Sequence, residues 1–275
     1  MTIKHPAYTG MVPVDDTALA VTDTGGPGRP VVYLNGSYAD QSHWRRVITD
    51  LGSGYRHITF DERARGKSKR SADYSFEACV RDIDAVLTAR NVDRPILVGW
   101  SYGAMLAIHW AARNPDRALG VVSVDGALPH EWLDDAAREQ LRKLFRRLSP
   151  LFPIGRRLGL AARMSAAQHA EINIEINELY APSALDPVFD QVTVPTRYVL
   201  ATGGNLGGAP ELMEKIRANL DPVLARNPNI RVSAKVASNH SKILSKDFRA
   251  VAAAIRELAA PATTRSAEPR RTASR

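Results

Sequence analysis

Short runs rich in valine, isoleucine and leucine recur along the chain at 31–34, 56–60, 95–98, 121–124, 197–201 and 230–236. Continuous apolar runs of this length read as strands buried on both faces. Between them lie longer segments with helical spacing. In 76–90, Cys79, Ile83, Val86 and Leu87 share one face, and 102–114, 211–227 and 247–258 read as helices too. A chain that alternates in this way forms a mostly parallel central sheet with helices on both faces, the α/β class. A hairpin precedes the alternation at 11–23, with its turn at Asp15-Asp16. The alternation breaks once. Residues 128–190 are helical without a strand, and an insertion of that length between two strands reads as a helical lid. The expected division is therefore a core of 1–127 and 191–258, a lid of 128–190 and a basic tail of 259–275. The tail is poor in large apolar residues and is expected to be disordered.

Composition narrows the class further. No run of 18 apolar residues exists, and the first ten residues, with Lys4, His5 and Pro6, lack the apolar stretch of a secretory signal. Cys79 is the only cysteine, which excludes an internal disulfide and a cysteine metal cluster. A cytoplasmic location is the expectation. The net charge is +8, but residues 63–70 (net +5) and 261–275 (net +3) account for the whole excess. A nucleic-acid partner is not expected from one loop and a tail, because such proteins carry a basic face. The insertion divides by charge. Residues 138–163 hold eight basic residues and one acid, Glu139, whereas 164–190 hold five acids and no Lys or Arg. The plain reading is two helix faces that attract each other. The sharper one is an electropositive mouth for an anionic substrate, or contact of the lid with a membrane surface. Trp132, Leu141, Phe145, Leu148 and Phe152 are expected to form lid core.

The segment Gly99-Trp100-Ser101-Tyr102-Gly103 carries the chemistry. It follows a strand and opens a helix, the setting of a nucleophile elbow. A sharp turn there lifts the serine clear of the sheet, and the helix N-terminus behind it favours a developing oxyanion. A serine hydroxyl needs a base, and His240 alone of the seven histidines lies in a late strand–helix loop. No histidine pair has metal-ligand spacing. Gly66-Lys67-Ser68 lacks the leading glycine of a phosphate-binding loop, and the glycines of 203–208 lack dinucleotide-binding spacing. No cofactor is implied.

Over roughly residues 10–258 the chain resembles the α/β-hydrolases. Asn35-Gly36-Ser37 stands where that family usually has His-Gly. Asp61-Glu62-Arg63-Ala64-Arg65-Gly66-Lys67-Ser68 resembles its D-x-R-G-x-G-x-S loop, with Ala64 at the first glycine. The resemblance implies an oxyanion hole made by the N–H groups of Ser37 and Tyr102, and a Ser-acid-His order. Most of the family place the acid after the strand at 197–201, where this chain reads Thr202-Gly203-Gly204-Asn205-Leu206. Some branches place it one strand earlier, where Asp125 stands. Asp125 is the expected acid, with Asn205 and Glu211 as the alternatives. The expected activity is a serine hydrolase acting on an ester, thioester, lactone or related acyl bond of a small molecule. C–C bond hydrolysis, peroxidation and a non-catalytic binding module on the same scaffold are the rival readings.

Overall fold

A computed structural model of the protein describes residues 5–131, 134–157, 162–204 and 210–260. The strands are β1 (Tyr8–Val14), β2 (Thr17–Asp23), β3 (Arg29–Leu34), β4 (Tyr55–Phe60), β5 (Ile96–Trp100), β6 (Gly120–Val124), β7 (Thr196–Ala201) and β8 (Ile230–Val236). The helices are α1 (Arg45–Leu51), α2 (Phe76–Ala89), α3 (Tyr102–Arg113), α4 (Asp135–Leu148), α5 (Phe152–Arg157), α6 (Ala166–Tyr180), α7 (Pro182–Gln191), α8 (Pro210–Ala218), α9 (Asp221–Arg226), α10 (Ile243–Lys246) and α11 (Phe248–Ala259). The strands form one sheet in the order β1-β2-β4-β3-β5-β6-β7-β8. β1 and β2 are the antiparallel hairpin, β2 is antiparallel to β4, and every later pairing is parallel.

Alternation along the strands sorts the core into two layers. Val31, Tyr33, Ile96, Val98, Val122 and Val124 point to one face, where Trp44, Val251 and Ile255 cover them. Val32, Leu34, Leu97 and Val121 point to the other, under Ile83, Met105 and Ile108. Both sets are buried because helices lie on both faces, which is why these strands read as unbroken apolar runs. The expected helix over 211–227 is two helices, α8 and α9. Pro222 lacks the N–H that a continuous helix would need, and it sits in the first turn of α9 instead.

The insertion between β6 and β7 runs through α4, α5, α6 and α7. Basic α4 lies against acidic α6, with Arg138 paired to Glu178 and Arg142 to Glu171. Two of the insertion's basic residues thus meet two of its acids across these neighbouring helices. Of the expected lid-core residues, Phe152 is buried, and Phe145 stacks on His169 at 5.6 Å. Leu141 is half-buried. Leu148 is not core: it is exposed, on a helix that packs against α6 and has no fully buried residue. Trp132 and the tail from 261 lie outside the described residues. The basic loop at 63–70 is divided: Lys67, Lys69 and Arg70 are exposed and two arginines turn inward. Arg63 and Arg65 are buried, and Arg63 pairs with Asp82 and Asp15. Among the described residues no helix is long and apolar enough to cross a membrane.

Candidate active site

β5 ends at Trp100, and Ser101 begins the turn into α3 with φ 56° and ψ −115°, a conformation costly for any residue with a side chain. Two glycines make the turn possible. A Cβ on Gly99 would lie 2.1 Å from the Gly103 carbonyl oxygen, and one on Gly103 would lie 2.1 Å from the Leu34 carbonyl oxygen. The turn is tied to the neighbouring strand by the Ser101 N–H, which donates to the Val124 carbonyl at 3.0 Å.

Val124 is the last residue of β6, and Asp125 follows it with φ 46°. The Asp125 N–H donates to the Val199 carbonyl of β7, so the side chain sits at the ends of both strands. That carboxylate is fully buried and accepts four hydrogen bonds. Oδ1 receives the Ala201 N–H at 3.1 Å and Arg217 Nε at 2.8 Å. Oδ2 receives Arg217 Nη2 at 2.9 Å and lies 2.9 Å from His240 Nδ1. Burial pushes the Asp125 carboxyl up, but the bonds from His240 and Arg217 outweigh it and hold it below the usual carboxylate range.

His240 opens a single 3-10 turn after β8. Its N–H donates to the Gly204 carbonyl, and its own carbonyl accepts from Trp100 Nε1 at 3.2 Å. The Trp100 ring lies 5.7 Å from the imidazole. The residue beside the elbow serine therefore fixes the histidine loop. Ser101, Asp125 and His240 line one cavity of about 150 Å³, with Leu128, His130, Asn177, Tyr180, Met213 and Ile216 on its walls.

Ser37 and Tyr102 flank the elbow. Tyr102 is the first residue of α3, where a backbone N–H has no intrahelical acceptor. Gly36 lies against Trp100 and Ser101, with room for no more than a tight Cβ. The Ser37 carbonyl accepts from Arg65 Nε at 2.7 Å. Asn35 is consumed by the scaffold: its Nδ2 donates to the Phe60 carbonyl and to Glu62 Oε2, and its Oδ1 accepts from Trp44 Nε1. Glu62 also accepts the Asn35 N–H at 2.9 Å, and burial pushes this carboxyl up to about 7. Ala64 takes φ 61°, the left-handed conformation that glycine would adopt without strain.

The structure brings Ser101, His240 and Asp125 to one edge of the sheet. Glu211 stands exposed at the start of α8, and Asn205 lies outside the described residues. Two residues escaped the sequence reading. Trp100 lies inside the elbow motif, whose spacing assigns it no role. Arg217 carries no motif, and its partner is 92 positions away.

Residues 29–183, more than half of the chain, match the sequence profile of the alpha/beta hydrolase fold. The chain belongs to that family. A haloalkane dehalogenase of Mesorhizobium japonicum is 34% identical over 139 residues, covering 50% of this chain and 45% of that protein. Epoxide hydrolase B of Mycobacterium tuberculosis strain H37Rv is 32% identical over 111 residues, covering 39% of this chain and 31% of that protein. The match thus spans less than half the length of either curated relative. Among solved structures, an esterase from Exiguobacterium antarcticum superposes with a TM-score of 0.69 at 20% identity, covering 92% of this chain and 99% of that one. A haloalkane dehalogenase from Agrobacterium tumefaciens C58 gives 0.69 at 21% identity, with 92% and 96% covered. These likenesses establish the α/β-hydrolase fold, and the names attached to them span several reactions.

Proposed function

We propose that this α/β-hydrolase cleaves an ester, thioester, lactone or related acyl bond of a small molecule through an acyl-enzyme on Ser101. The observation that carries the reading is the 2.9 Å contact of His240 Nδ1 with the buried Asp125 carboxylate, in the same cavity as the elbow serine. A carboxylate at Nδ1 holds the proton there and leaves Nε2 as the base. Nε2 takes the Ser101 hydroxyl proton as Oγ attacks the carbonyl carbon. The oxyanion is received by the Ser37 and Tyr102 N–H groups, and the imidazolium returns its proton to the leaving group. Water then attacks the acyl-enzyme with Nε2 again as base, which releases the acid and restores Ser101. A serine at this position supports acyl chemistry over dehalogenation or epoxide opening, which the family performs with an aspartate nucleophile. Leu128, Met213 and Ile216 give the cavity an apolar wall suited to an acyl chain. Residues 128–190 act as its lid, with Asn177 and Tyr180 of α6 reaching the cavity.

The test pairs labelling with turnover. A fluorophosphonate should modify one residue, Ser101, and p-nitrophenyl esters of short fatty acids should be hydrolysed by wild type but not by Ser101→Ala. A folded wild-type protein that neither labels nor loses turnover on this substitution overturns the reading.

A further inference from the structure

Arg217 shares the carboxylate that the proposed reaction assigns to His240. Its guanidinium makes a two-pronged ion pair with Asp125, at 2.8 Å and 2.9 Å, and its third prong, Nη1, donates to the Gly203 carbonyl at 2.8 Å. The pair is buried, with the Asp125 side chain fully enclosed and that of Arg217 7% exposed. Gly203 belongs to the segment after β7 that bears no carboxylate before Glu211, and Gly204 receives the His240 N–H. One side chain of α8 thus ties the turn after β6 to the turn after β7, and both of these turns bond the histidine loop. Arg217 Nη2 and His240 Nδ1 are each 2.9 Å from the same oxygen, so the two cationic centres lie less than about 6 Å apart when the imidazole is protonated.

We infer that Arg217 is a positioning residue for the reaction proposed at Ser101: it fixes the plane of the Asp125 carboxylate that meets His240, and it cancels part of the negative charge which that carboxylate presents to the imidazole. The inference rests on the acyl-transfer reading for its kinetic consequences, but not for its structural one. A planar fork bound through two parallel N–H bonds sets orientation in a way that a single ammonium does not. The same fork brings a fixed positive charge close to the site where a proton must be taken up during catalysis. An aspartate so shared meets the histidine in one fixed orientation.

Other titratable groups surround this cluster. His130 and Tyr180 line the same cavity as the imidazole. Lys242 and Asp247 flank its own loop, and His43 stacks on the far side of Trp100 at 5.8 Å. Glu214, Asp221 and Lys235 line a separate cleft of about 720 Å³ beside Arg217. Among the described residues, Asp125 is the group that hydrogen-bonds the imidazole, and Arg217 is the charged group that shares its carboxylate.

The experiment follows His240 directly. Imidazole resonances are titrated by NMR in Ser101→Ala and in Ser101→Ala with Arg217→Gln, so that no substrate is needed. Removing the guanidinium charge should raise the His240 midpoint relative to the parent. In the active background, Arg217→Gln should move the acidic limb of kcat/KM upward and lower kcat about tenfold or more. Arg217→Lys keeps the charge and loses the fork, so it should lower kcat without moving the midpoint. A merely structural ion pair would leave the midpoint in place, and an unmoved midpoint in folded Arg217→Gln overturns the inference. Should Arg217→Gln fail to fold, Arg217→Lys decides the positioning role, and an unchanged kcat there overturns it. Failure of the acyl-transfer reading would show separately, as a wild-type Ser101 that does not react with a fluorophosphonate.

Discussion

Asp125→Asn should damage rate and stability together, because the carboxylate has no spare acceptor. Each of its oxygens receives two donors: Arg217 Nε and the Ala201 N–H on Oδ1, Arg217 Nη2 and His240 Nδ1 on Oδ2. The amide group of asparagine must face one of these pairs. Turned toward Oδ1, it sets N–H against two N–H donors. Turned toward Oδ2, it confronts Arg217 and forces His240 to present Nδ1 as an acceptor, which leaves the proton on Nε2 and removes the base. The wrong tautomer costs roughly 10²–10⁴ in kcat. Arg217 meanwhile loses its counter-ion in a site where it is 7% exposed. Breaking such a pair costs about 3 kcal/mol or more. For a chain of this size that corresponds to a fall in Tm of roughly 6–12 °C. Calorimetry and steady-state kinetics on one preparation read both effects. A variant with kcat within tenfold of wild type, or with an unchanged Tm, would refute the four-donor account of Asp125.

Three further outcomes are expected. Ser101→Gly should be inactive yet melt higher than Ser101→Ala by the equivalent of about 1 kcal/mol, since glycine relieves the strain at φ 56° and gives part of that back as unfolded-chain entropy; equal melting temperatures would contradict it. Burial holds the Glu62 carboxyl up at about 7 against an ordinary 4.5, so the folded state keeps a proton that the unfolded chain releases. Its contribution is present in full below about 4.5 and is lost as pH rises to about 7, a slope of a few kcal/mol that urea midpoints should show in wild type and not in Glu62→Gln. Arg142→Ala removes an exposed bridge to Glu171 and should leave the melting temperature almost unchanged, and a shift of more than a few degrees would contradict the reading of this pair as a solvent-screened surface contact.

Most of the fold was legible because it is written locally. Apolar runs, helical spacing and the Gly99–Gly103 motif each lie within a dozen residues, and the alternation of Val31, Val32, Tyr33 and Leu34 between two cores follows from strand geometry alone. The positions of Ser101, His240 and Asp125 were legible for the same reason, since each follows a strand. What was not legible depends on contacts across the chain. Arg217 sits on a helix beside Glu214 and Lys215, where spacing predicts a solvated face, and only the fold turns it toward Asp125. Leu148 fits a helical apolar stripe, yet nothing in its neighbourhood shows that it stays exposed when α4 packs against α6. Asn35 was readable as a departure from the usual histidine. That its amide is committed to Phe60, Glu62 and Trp44 was not.

The insertion is rooted in a very different material from its outer helix. Asp125 and Ala127 both hold φ near +46° to +49°, and a Cβ on the intervening Gly126 would lie 2.3 Å from the Ser101 carbonyl oxygen. Ten residues later α4 begins, with no fully buried residue in its length. The two ends of this short stretch therefore tolerate change on opposite terms. A side chain at 126 reaches the serine turn and any change at 125 or 127 meets a positive φ, while the outward positions of α4 can be rewritten at little expense to the core. A lineage carrying this architecture can diversify what its entrance meets, residue by residue, and leave the three-residue root untouched.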